Sequence, residues 1–490
     1  MLTRREVIVG SSALLLWPGC ATRGAVELND IHSQLNGTPV GAVVRPGSVD
    51  DIQRALARAR RAGQAVSITG GRHAMGGQQF GAGTLNLDMT GMRRVLHFDP
   101  DAGEIEVEAG IQWPELIEYL VRAQEGRPRQ WGIVQKQTGA DRLTIGGALA
   151  ANAHGRGLRF KPIVQDVKSF VMLDAAGRTV TCDRQTNPEL FRLAIGGYGL
   201  FGVMTSVTLR LTPRRKVQRV VEILDVDRVI PAFGRRIADG FTYGDFQYST
   251  EAGAERFLRT GVFSCYRPVA DDTPIPSGQK ELQPEDWREL LFLAHADKRR
   301  AFEAYTGHYL ATDGQIYWSD TQQLGTYFDD YHREVDRRLG ATDRATEMIT
   351  EIYVPRPRLA DFLAEARDDF LKNRVELIYG SIRLIERDDE TFLPWAKQSY
   401  ACTIFNLHVV HTPEGLDHSA RAFRRLIDMA WRRGGSYFLT YHRWATRAQV
   451  EACYPQFAEF LRHKRAHDPE ERFQSEWYRH YRRMFAYPTA

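Results

Sequence analysis

The chain has 490 residues, too many for one ordinary domain, so we expect two or three domains with substantial cores. Lys and Arg total 65 against 61 Asp and Glu, which leaves a formal net charge of only +4. A charge this small on a chain this long argues against nucleic acid as a partner. The five cysteines lie far apart without paired spacing, which indicates neither a disulfide framework nor a zinc site.

The first 20 residues have the pattern of an export signal. A basic start is followed by an apolar stretch, residues 7–17, that is too short to span a bilayer. Thr3-Arg4-Arg5 resembles a twin-arginine signal, the route of proteins exported in the folded state. Gly19-Cys20 resembles a lipoprotein cleavage site. We expect an exported protein on the periplasmic or extracytoplasmic side, with a lipidated Cys20 as candidate membrane tether; the alternative is a buried hydrophobic N-terminal segment.

Residues 40–83 predict a β-α-β unit that ends in a glycine-rich loop. Ser48 and Asp51 form a capping box for a helix that ends at Gly63. The following strand leads into loop 67–83, which contains His73 and six glycines. Glycines allow positive φ and a close backbone approach, so the loop could direct N–H groups at an anion such as a pyrophosphate. A plain turn is the alternative interpretation.

A second informative stretch is residues 137–157. Gly139, Gly146 and Gly147 precede an alanine-rich run that closes on His154-Gly155. Small side chains allow a flat or phosphorylated ligand to approach the backbone closely. A helix of small residues packed in a core is the alternative.

A third glycine cluster, Gly197, Gly199 and Gly202, satisfies the spacing G-x-G-x-x-G. A dinucleotide-binding turn of that spacing leaves a strand and opens a helix. This cluster instead follows the predicted helix 189–194 and enters a strand. This context argues against a nicotinamide-binding Rossmann domain.

From about residue 214 to 440 the sequence predicts a separate domain built on an antiparallel sheet. Its predicted strands cover residues 241–250, 314–318, 375–385 and 402–411, and its predicted helix covers 296–310. Because side chains alternate on a strand, Asn406 and His408 share a face, whereas His408 and His411 do not and make a poor metal pair. The chain beyond residue 441 is predicted to be mainly helical.

The three glycine segments follow a capped helix and precede the C-terminal HDPEERF segment. This arrangement resembles that of the FAD-linked oxidases of the vanillyl-alcohol oxidase and p-cresol methylhydroxylase (PCMH) type. Among these, the aldonolactone and alditol oxidases look most similar. Their covalent flavin-binding histidine corresponds to His73, and their second loop element to Asn152-Ala153-His154-Gly155. Their Glu-x-Arg strand appears as Ser381-Ile382-Arg383, so the arginine is present and the glutamate is not. Their C-terminal His-Trp-Gly-Lys element is echoed only by residues 442–445, without the lysine.

The resemblance implies an α+β fold with a two-subdomain PCMH-type FAD-binding domain and a substrate-binding cap domain whose antiparallel sheet is flanked by helices. The corresponding segments are residues 36–212 for the FAD-binding domain, 213–440 for the cap, and 441–490 for a segment that returns to the FAD domain.

The resemblance also implies the cofactor site. FAD, covalently bound through His73 or held without a covalent bond, would contact residues from all three glycine segments. These residues are Gly70, Gly71, Arg72, His73, Ala74, Met75, Thr138, Gly139, Ala140, Asp141, Thr144, Gly146, Gly147, Asn152, His154, Gly155, Gly202 and Val203. No metal ligands are predicted.

The implied reaction is hydride removal from a CH–OH group of a polyol, sugar lactone or related alcohol to flavin N5. The predicted catalytic residues are Arg383 as polariser or anion clamp, His408 or His442 as base, and Tyr441 as hydrogen-bond donor. The electron acceptor would be oxygen, a quinone or a redox protein. Two alternatives stay open: a flavin dehydrogenase or reductase for a lipid-linked or isoprenoid substrate with non-covalent FAD, and an exported binding protein with a degenerate flavin fold.

Overall fold

The computed structural model describes residues 25–326 and 328–486. The predicted export signal and Cys20 lie outside the described residues. Helices and sheets are mixed along the chain, which gives an α+β fold. Within the described ranges, no helix combines the length and apolar character needed to cross a membrane.

The N-terminal part contains a small parallel sheet covered by a capped helix. Its elements are β1 (Val26–Leu28), β2 (Thr38–Val40), β3 (Ala42–Val44), α1 (Val49–Arg61), β4 (Val66–Thr69) and β5 (Leu85–Asp88). The strand order is β3-β5-β4, with all neighbours parallel, while β1 and β2 pair separately. The Ser48 side chain accepts a hydrogen bond from the Asp51 amide, which confirms the predicted start of α1.

A five-stranded antiparallel sheet follows, in the order β10-β9-β11-β7-β6. The elements of this region are β6 (Val95–Asp99), β7 (Glu104–Glu108), α2 (Trp113–Ala123), β8 (Trp131–Gly132), α3 (Ile145–Ala151), β9 (Val167–Leu173), β10 (Thr179–Asp183), α4 (Pro188–Ala194) and β11 (Val203–Arg210). The third glycine cluster lies between the end of α4 and the start of β11. This placement confirms that it is not a Rossmann turn.

The largest sheet has eight strands, in the order β16-β13-β15-β14-β18-β19-β17-β20. The elements of this region of the chain are β12 (Thr212–Pro213), β13 (Lys216–Asp225), α5 (Val226–Ala238), β14 (Tyr243–Tyr248), β15 (Thr260–Pro268), α6 (Pro284–Ala296), α7 (Lys298–Ala311), β16 (Ile316–Trp318), α8 (Tyr331–Leu339), β17 (Ala345–Pro355), α9 (Leu359–Asn373), β18 (Leu377–Ile385), β19 (Tyr400–Val410), α10 (Pro413–Trp431) and β20 (Ser436–Tyr437). The four predicted strands correspond to β14, β16, β18 and β19. The sequence analysis missed the other four strands of this sheet, β13, β15, β17 and β20.

Three helices complete the described chain: α11 (Arg447–Cys453), α12 (Phe457–His467) and α13 (Glu476–Ala486). Between α12 and α13, Phe473 pairs in parallel with Val66 of β4. The Asp468 carboxylate accepts hydrogen bonds of 2.8 Å from the amides of Arg472 and Phe473, which holds this segment against the parallel sheet. The domain boundaries drawn from the sequence stay predictions.

Candidate functional site

A cavity of about 400 Å³ lies between the glycine-rich segments and one face of the eight-stranded sheet. Loop 67–83 and residues 137–153 form one side, and the turn before β11 contributes Tyr198, Gly199 and Gly202. Strands β17, β18 and β19, together with Phe438, Thr440 and Tyr441, form the opposite side. The cavity is therefore built from segments that are far apart in the sequence.

The first two glycine segments touch each other, and glycine is what allows the contact. A Cβ atom on Gly70 would lie 2.3 Å from Thr144 Oγ1, and one on Gly71 would lie 2.1 Å from the Arg142 carbonyl oxygen. Any larger residue would push the two segments apart. These glycines therefore make one continuous wall from two separate loops.

Gly139 serves a different purpose on the same wall. Its φ of +74° is in the left-handed region that favours glycine, and a Cβ atom there would meet no other atom within 4 Å. Because Gly139 lines the cavity, the space beside it is left open to an occupant rather than filled by protein. A flat or phosphorylated ligand fits such an open backbone surface.

His73 lies on the cavity wall and is nearly buried, with 8% of its surface exposed. Its Nδ1 atom is 2.9 Å from His32 Nε2, so one imidazole donates a hydrogen bond to the other. Burial, together with the nearby His32, Arg142 and Lys136, holds the pKa of His73 well below its usual value. His73 is therefore a neutral imidazole at physiological pH, which is the nucleophilic form.

Glu351 of β17 is the centre of the polar end of the cavity. Its carboxylate accepts hydrogen bonds from His154 Nε2 at 2.7 Å, from the Tyr441 hydroxyl at 2.7 Å and from the Tyr353 hydroxyl at 2.8 Å. Burial alone would raise the pKa of Glu351, but the His154 imidazole and the Arg383 guanidinium lower it to about 2. A buried anion is thus held beside the cavity.

The sheet register places Glu351 beside the strand that was predicted to hold the active site. Glu351 of β17 and Ser381 of β18 both pair with Ile404 of β19, one from each side. Ser381 occupies the position of the glutamate in the Glu-x-Arg element, and Glu351 supplies a carboxylate two strands away in the same row. Arg383 lies two residues further along β18 and lines the same cavity.

Two polar atoms at this end of the cavity are buried without a hydrogen-bond partner among the described residues: Arg383 Nε and Asn406 Oδ1. An unsatisfied buried polar group costs about 1–3 kcal/mol, so such groups usually face a ligand. One is a donor and the other an acceptor, and both belong to residues that line the cavity. An oxygen-bearing ligand would satisfy both.

Most residues predicted for the cofactor site line this cavity. They are Gly70, Gly71, Arg72, His73, Ala74, Met75, Thr138, Gly139, Ala140, Thr144, Gly146, Gly147 and Gly202. Arg383 and Tyr441, predicted as catalytic residues, line it as well.

Five predicted cofactor residues do not line the cavity. Asp141 pairs with Lys136 at 2.5 Å, and Asn152 ends α3 and donates to Asp388 at 2.9 Å. His154 lies behind Glu351, and Gly155 packs against Lys136, where a Cβ would lie 2.7 Å from the carbonyl oxygen. Val203 is buried in the hydrophobic core at the start of β11, and its neighbours Gly202 and Met204 line the cavity instead.

The two histidines predicted as bases also lie off the cavity wall. His442 is 1% exposed and packs beside Phe423 and Trp444, and burial lowers its pKa to about 3. His408 lies one row further along β19 than Asn406, with its ring 5.5 Å from that of His295. Glu351 and Tyr441 line the cavity, whereas His408 and His442 do not.

Several cavity residues that the sequence analysis missed lie on β17 to β19, and others lie near the N-terminus, at the start of α8 or within the second and third glycine segments. They are His32, Gln137, Tyr198, Tyr331, Ile349, Glu351, Tyr379, Ile404 and Asn406 as cavity residues. For Asn406 a signal existed, because it was predicted to share a face of its strand with His408. For Glu351 there was no signal, since β17 itself was not recognised.

Comparisons with known proteins agree with this geometry. Residues 40–183 match the family model described as FAD binding domain. L-gulono-1,4-lactone dehydrogenase of Mycobacterium tuberculosis is 24% identical over 89% of this chain and 95% of its own length. Cytokinin dehydrogenase 4 of Oryza sativa subsp. japonica is 22% identical over 87% of this chain and 83% of its own length. L-gulonolactone oxidase of Bos taurus is 28% identical over 37% of this chain and 41% of its own length.

The chain therefore contains a PCMH-type FAD-binding domain and is similar over most of its length to FAD-dependent dehydrogenases. It is an FAD-dependent oxidoreductase whose relatives include lactone oxidases and dehydrogenases. The open glycine surface, the neutral His73 and the unpartnered polar atoms beside the cavity all fit this cofactor and a substrate next to it.

Proposed function

We propose that the protein oxidises a CH–OH group of a sugar lactone, polyol or related alcohol. The observation that carries the proposal is the polar end of the cavity, where Arg383, Asn406 and Tyr441 surround the buried Glu351 carboxylate. Such a group of donors and acceptors suits a hydroxylated substrate. The similarity to lactone dehydrogenases supports the same class.

In this proposal the glycine segments hold the cofactor and the sheet holds the substrate. Residues 70–75 and 138–140 would bind the FAD pyrophosphate, Gly146 and Gly147 would face its ring system, and Gly202 would contact the adenosine side. The bound FAD supplies a two-electron acceptor for the hydride.

The protein's own groups handle the substrate oxygen and its proton. Arg383 Nε, which has no partner among the described residues, would donate to the substrate oxygen and stabilise negative charge there. The hydroxyl proton would pass to Glu351, directly or through the Tyr441 hydroxyl that already donates to it. His154, on the other oxygen of Glu351, keeps the carboxylate in place.

Dye-coupled turnover tests this proposal. The FAD-loaded protein is assayed with an aldonolactone, an alditol and an isoprenoid-linked sugar, and Arg383→Met is assayed beside it. We expect turnover with the lactone or the alditol and a loss of about two orders of magnitude in kcat/KM in Arg383→Met. Turnover with the isoprenoid-linked sugar alone would instead favour the lipid-linked class of substrate.

We also propose that His73 forms a covalent bond to the 8α carbon of the flavin. A ring nitrogen of His73 would hold the flavin by replacing one hydrogen of its 8α methyl group, and the oxidised flavin would supply the two-electron acceptor that this exchange requires. Burial, the main cause, lowers the pKa of His32 to about 4, so this neighbour is a neutral imidazole that can take the released proton.

The covalent bond is tested by denaturing the yellow protein in acid and looking for flavin fluorescence in the protein band. We expect fluorescence in the wild type and none in His73→Ala. Release of flavin from the wild type would contradict the covalent bond while leaving the FAD assignment intact.

We further propose export to the extracytoplasmic side, where oxygen, a quinone or a redox protein accepts the electrons. The twin-arginine pattern at residues 3–5 supports export of a folded, cofactor-loaded protein. Fractionation of cells that produce the wild type and an Arg4→Lys, Arg5→Lys variant tests it. A variant that reaches the same compartment as the wild type would contradict the twin-arginine route.

A further inference from the structure

A cluster of imidazoles surrounds a second buried glutamate at the far end of the same sheet face. His295 of α6, Glu347 of β17 and His408 of β19 each place one ligand atom within 4.8 Å of the other two. Glu347 and His408 are direct partners in the sheet register. A fourth group, Nδ1 of His332 on α8, lies 2.6 Å from Glu347 Oε2. Four elements thus converge on one carboxylate.

The orientation of His295 is the first observation that points to a metal ligand. Its Nδ1 lies 2.8 Å from the Leu291 carbonyl oxygen, one turn back in α6, to which it can only donate. Its Nε2 lies 2.6 Å from Glu347 Oε1. Because Nδ1 keeps its proton on the carbonyl oxygen, loss of the Nε2 proton that now bonds Glu347 would leave a lone pair directed into the cluster. Metal-binding histidines in proteins are held in this way, by a bond from the other ring nitrogen to a carbonyl oxygen.

His408 and His332 give the second observation. Nδ1 of His408 is buried and has no hydrogen-bond partner among the described residues. Nδ1 of His332 approaches Glu347 closely, yet the contact does not meet hydrogen-bond geometry. One buried imidazole nitrogen of the cluster is thus without a hydrogen-bond partner among the described residues, and a second meets the carboxylate only in a close contact.

The cluster is shielded from solvent and is poor in competing charge. The side chains of His295, Glu347 and His332 are 3%, 5% and 7% exposed. The other nearby carboxylate, Glu376, pairs with Lys298 at 2.8 Å. A divalent cation would therefore meet one carboxylate and several imidazoles, a set that suits zinc and similar borderline ions better than magnesium or calcium.

We propose that His295, Glu347 and His408, with His332 as a candidate fourth ligand, form a site for a divalent transition metal of the zinc type. Ligand atoms around a tetrahedral zinc ion are about 3.3 Å apart, from metal–ligand distances of about 2.0–2.1 Å. The 2.6 Å contacts to Glu347 would open by less than about 1 Å to admit the ion. The site is independent of the flavin and of the proposed substrate.

The metal would connect α6 and α8 to the sheet and lie next to the cavity. Tyr331, which lines the cavity, donates to Glu347 Oε2 at 2.5 Å. The ion would thus fix the segment that carries Tyr331 beside the substrate end of the cavity. Sequence spacing conceals the site, because its ligands come from residues 295, 332, 347 and 408.

The test is the binding of Co²⁺ and Zn²⁺ to the FAD-loaded full chain, prepared without a polyhistidine tag and stripped with a chelator. We expect about one Zn²⁺ per chain by elemental analysis after dialysis, and visible d–d absorption bands with Co²⁺ after difference correction for the flavin. His408→Ala should lower the Zn²⁺ affinity at least tenfold. Because His408 Nδ1 has no partner to lose, this variant should fold.

The matched control is His463→Ala, which removes a histidine from the solvent-exposed cluster of Glu189, His463 and His467. It should keep the wild-type stoichiometry and Co²⁺ spectrum. The proposal is overturned if the wild type retains no more metal than His408→Ala, or if His463→Ala loses the metal instead. The Co²⁺ spectrum of the wild type tests the proposal even if a variant fails to fold. Absence of the Co²⁺ d–d bands from the wild-type protein also overturns the proposal.

Discussion

Glu351 illustrates how single residues determine the chemistry of this cavity. Its carboxylate is only 1% exposed and accepts three hydrogen bonds shorter than 3 Å, from His154, Tyr441 and Tyr353. The His154 imidazole and the Arg383 guanidinium lower its pKa to about 2. With its pKa lowered in this way, the buried carboxylate is ionised at neutral pH. It is therefore available to orient Tyr441 and to receive a proton from a polarised substrate hydroxyl.

Replacing Glu351 by Gln should lower kcat by about two orders of magnitude, because the proton loses its acceptor while shape is kept. Steady-state dye reduction measures the effect. Glu386→Gln, one residue past the end of β18 and paired with Arg356 away from the cavity, is the control and should retain wild-type turnover. Equal rates in both variants would remove Glu351 from the reaction.

A second prediction concerns His442, which the sequence analysis offered as a base. Its ring lies among Phe423, Tyr437 and Trp444 rather than on the cavity wall. His442→Phe should therefore leave kcat within about twofold of the wild type, whereas loss of a general base costs about 10²–10⁴-fold. A hundredfold loss with unchanged flavin content would restore His442 as the base.

At the residue scale, the sequence predicted what depends on a local motif and missed what depends on the sheet. His73 and Arg383 stand in recognisable elements, and both line the cavity. Glu351 stands in ATEMITEIYVP, where nearly every position is buried, so no alternation marks the strand. Its function depends on lying in register with Ile404, a contact between residues 53 positions apart (404 − 351) that no local pattern encodes.

At the scale of elements, the glycine segments were predictable because their chemistry is local. Helix α1 begins at its predicted cap, and the glycines of loop 67–83 lie where a backbone must approach another segment. For helix α3 the sequence allows two interpretations, a ligand-binding surface or a packed core, and the structure shows that the helix has a cavity-facing side and a core-facing side. Ala148 and Leu149 are buried in the core, whereas Gly146, Gly147 and Ala150 line the cavity.

The cavity-facing side of α3 provides an element-scale prediction. Ala150→Phe should fill part of the cavity and lower the FAD content of the purified protein at least tenfold, because the added ring occupies cofactor space. Flavin absorbance per chain measures the effect. Ala57→Phe, at an exposed position of the similarly regular helix α1, should bind FAD normally. Full FAD content in Ala150→Phe would contradict the placement of the cofactor.

At the scale of the whole molecule, the fold depends on buried histidines that must stay neutral. Burial lowers the pKa of His32 to about 4 and that of His442 to about 3, while unfolded histidine titrates near 6.5. Below pH 6.5 the unfolded chain thus binds more protons than the folded chain at these sites. His295 acts in the opposite sense, since its hydrogen bond and attraction to Glu347 outweigh burial and raise its pKa.

The free energy of unfolding should therefore fall as the pH drops from about 6.5 toward 4. Thermal unfolding at pH 7.5 and pH 5 measures the trend, and the Tm should be lower at pH 5. His442→Phe removes one of these proton-binding sites, so its Tm should fall less between the two pH values. A Tm that rises on acidification, or an unchanged pH slope in His442→Phe, would contradict this account.

The arrangement of the whole molecule was predictable in outline, since the FAD-binding motifs and an antiparallel sheet domain could both be read from the sequence. The sequence does not predict how the FAD-binding motifs and the antiparallel sheet contact each other. The cavity joins loop 67–83, the turn at Gly199 and strands β17 to β19, which are separated by hundreds of residues. Only three-dimensional packing brings Arg383 and Glu351 opposite the glycine wall.

The most direct test of the central claim is anaerobic addition of an aldonolactone to the FAD-loaded protein while the flavin absorbance is recorded. We expect the absorbance band of the oxidised flavin to bleach in the wild type. In Arg383→Met, the protein should bind FAD equally well but bleach at least a hundredfold more slowly. A purified protein without flavin, or equal bleaching rates in the two proteins, would contradict the placement of cofactor and substrate in this cavity.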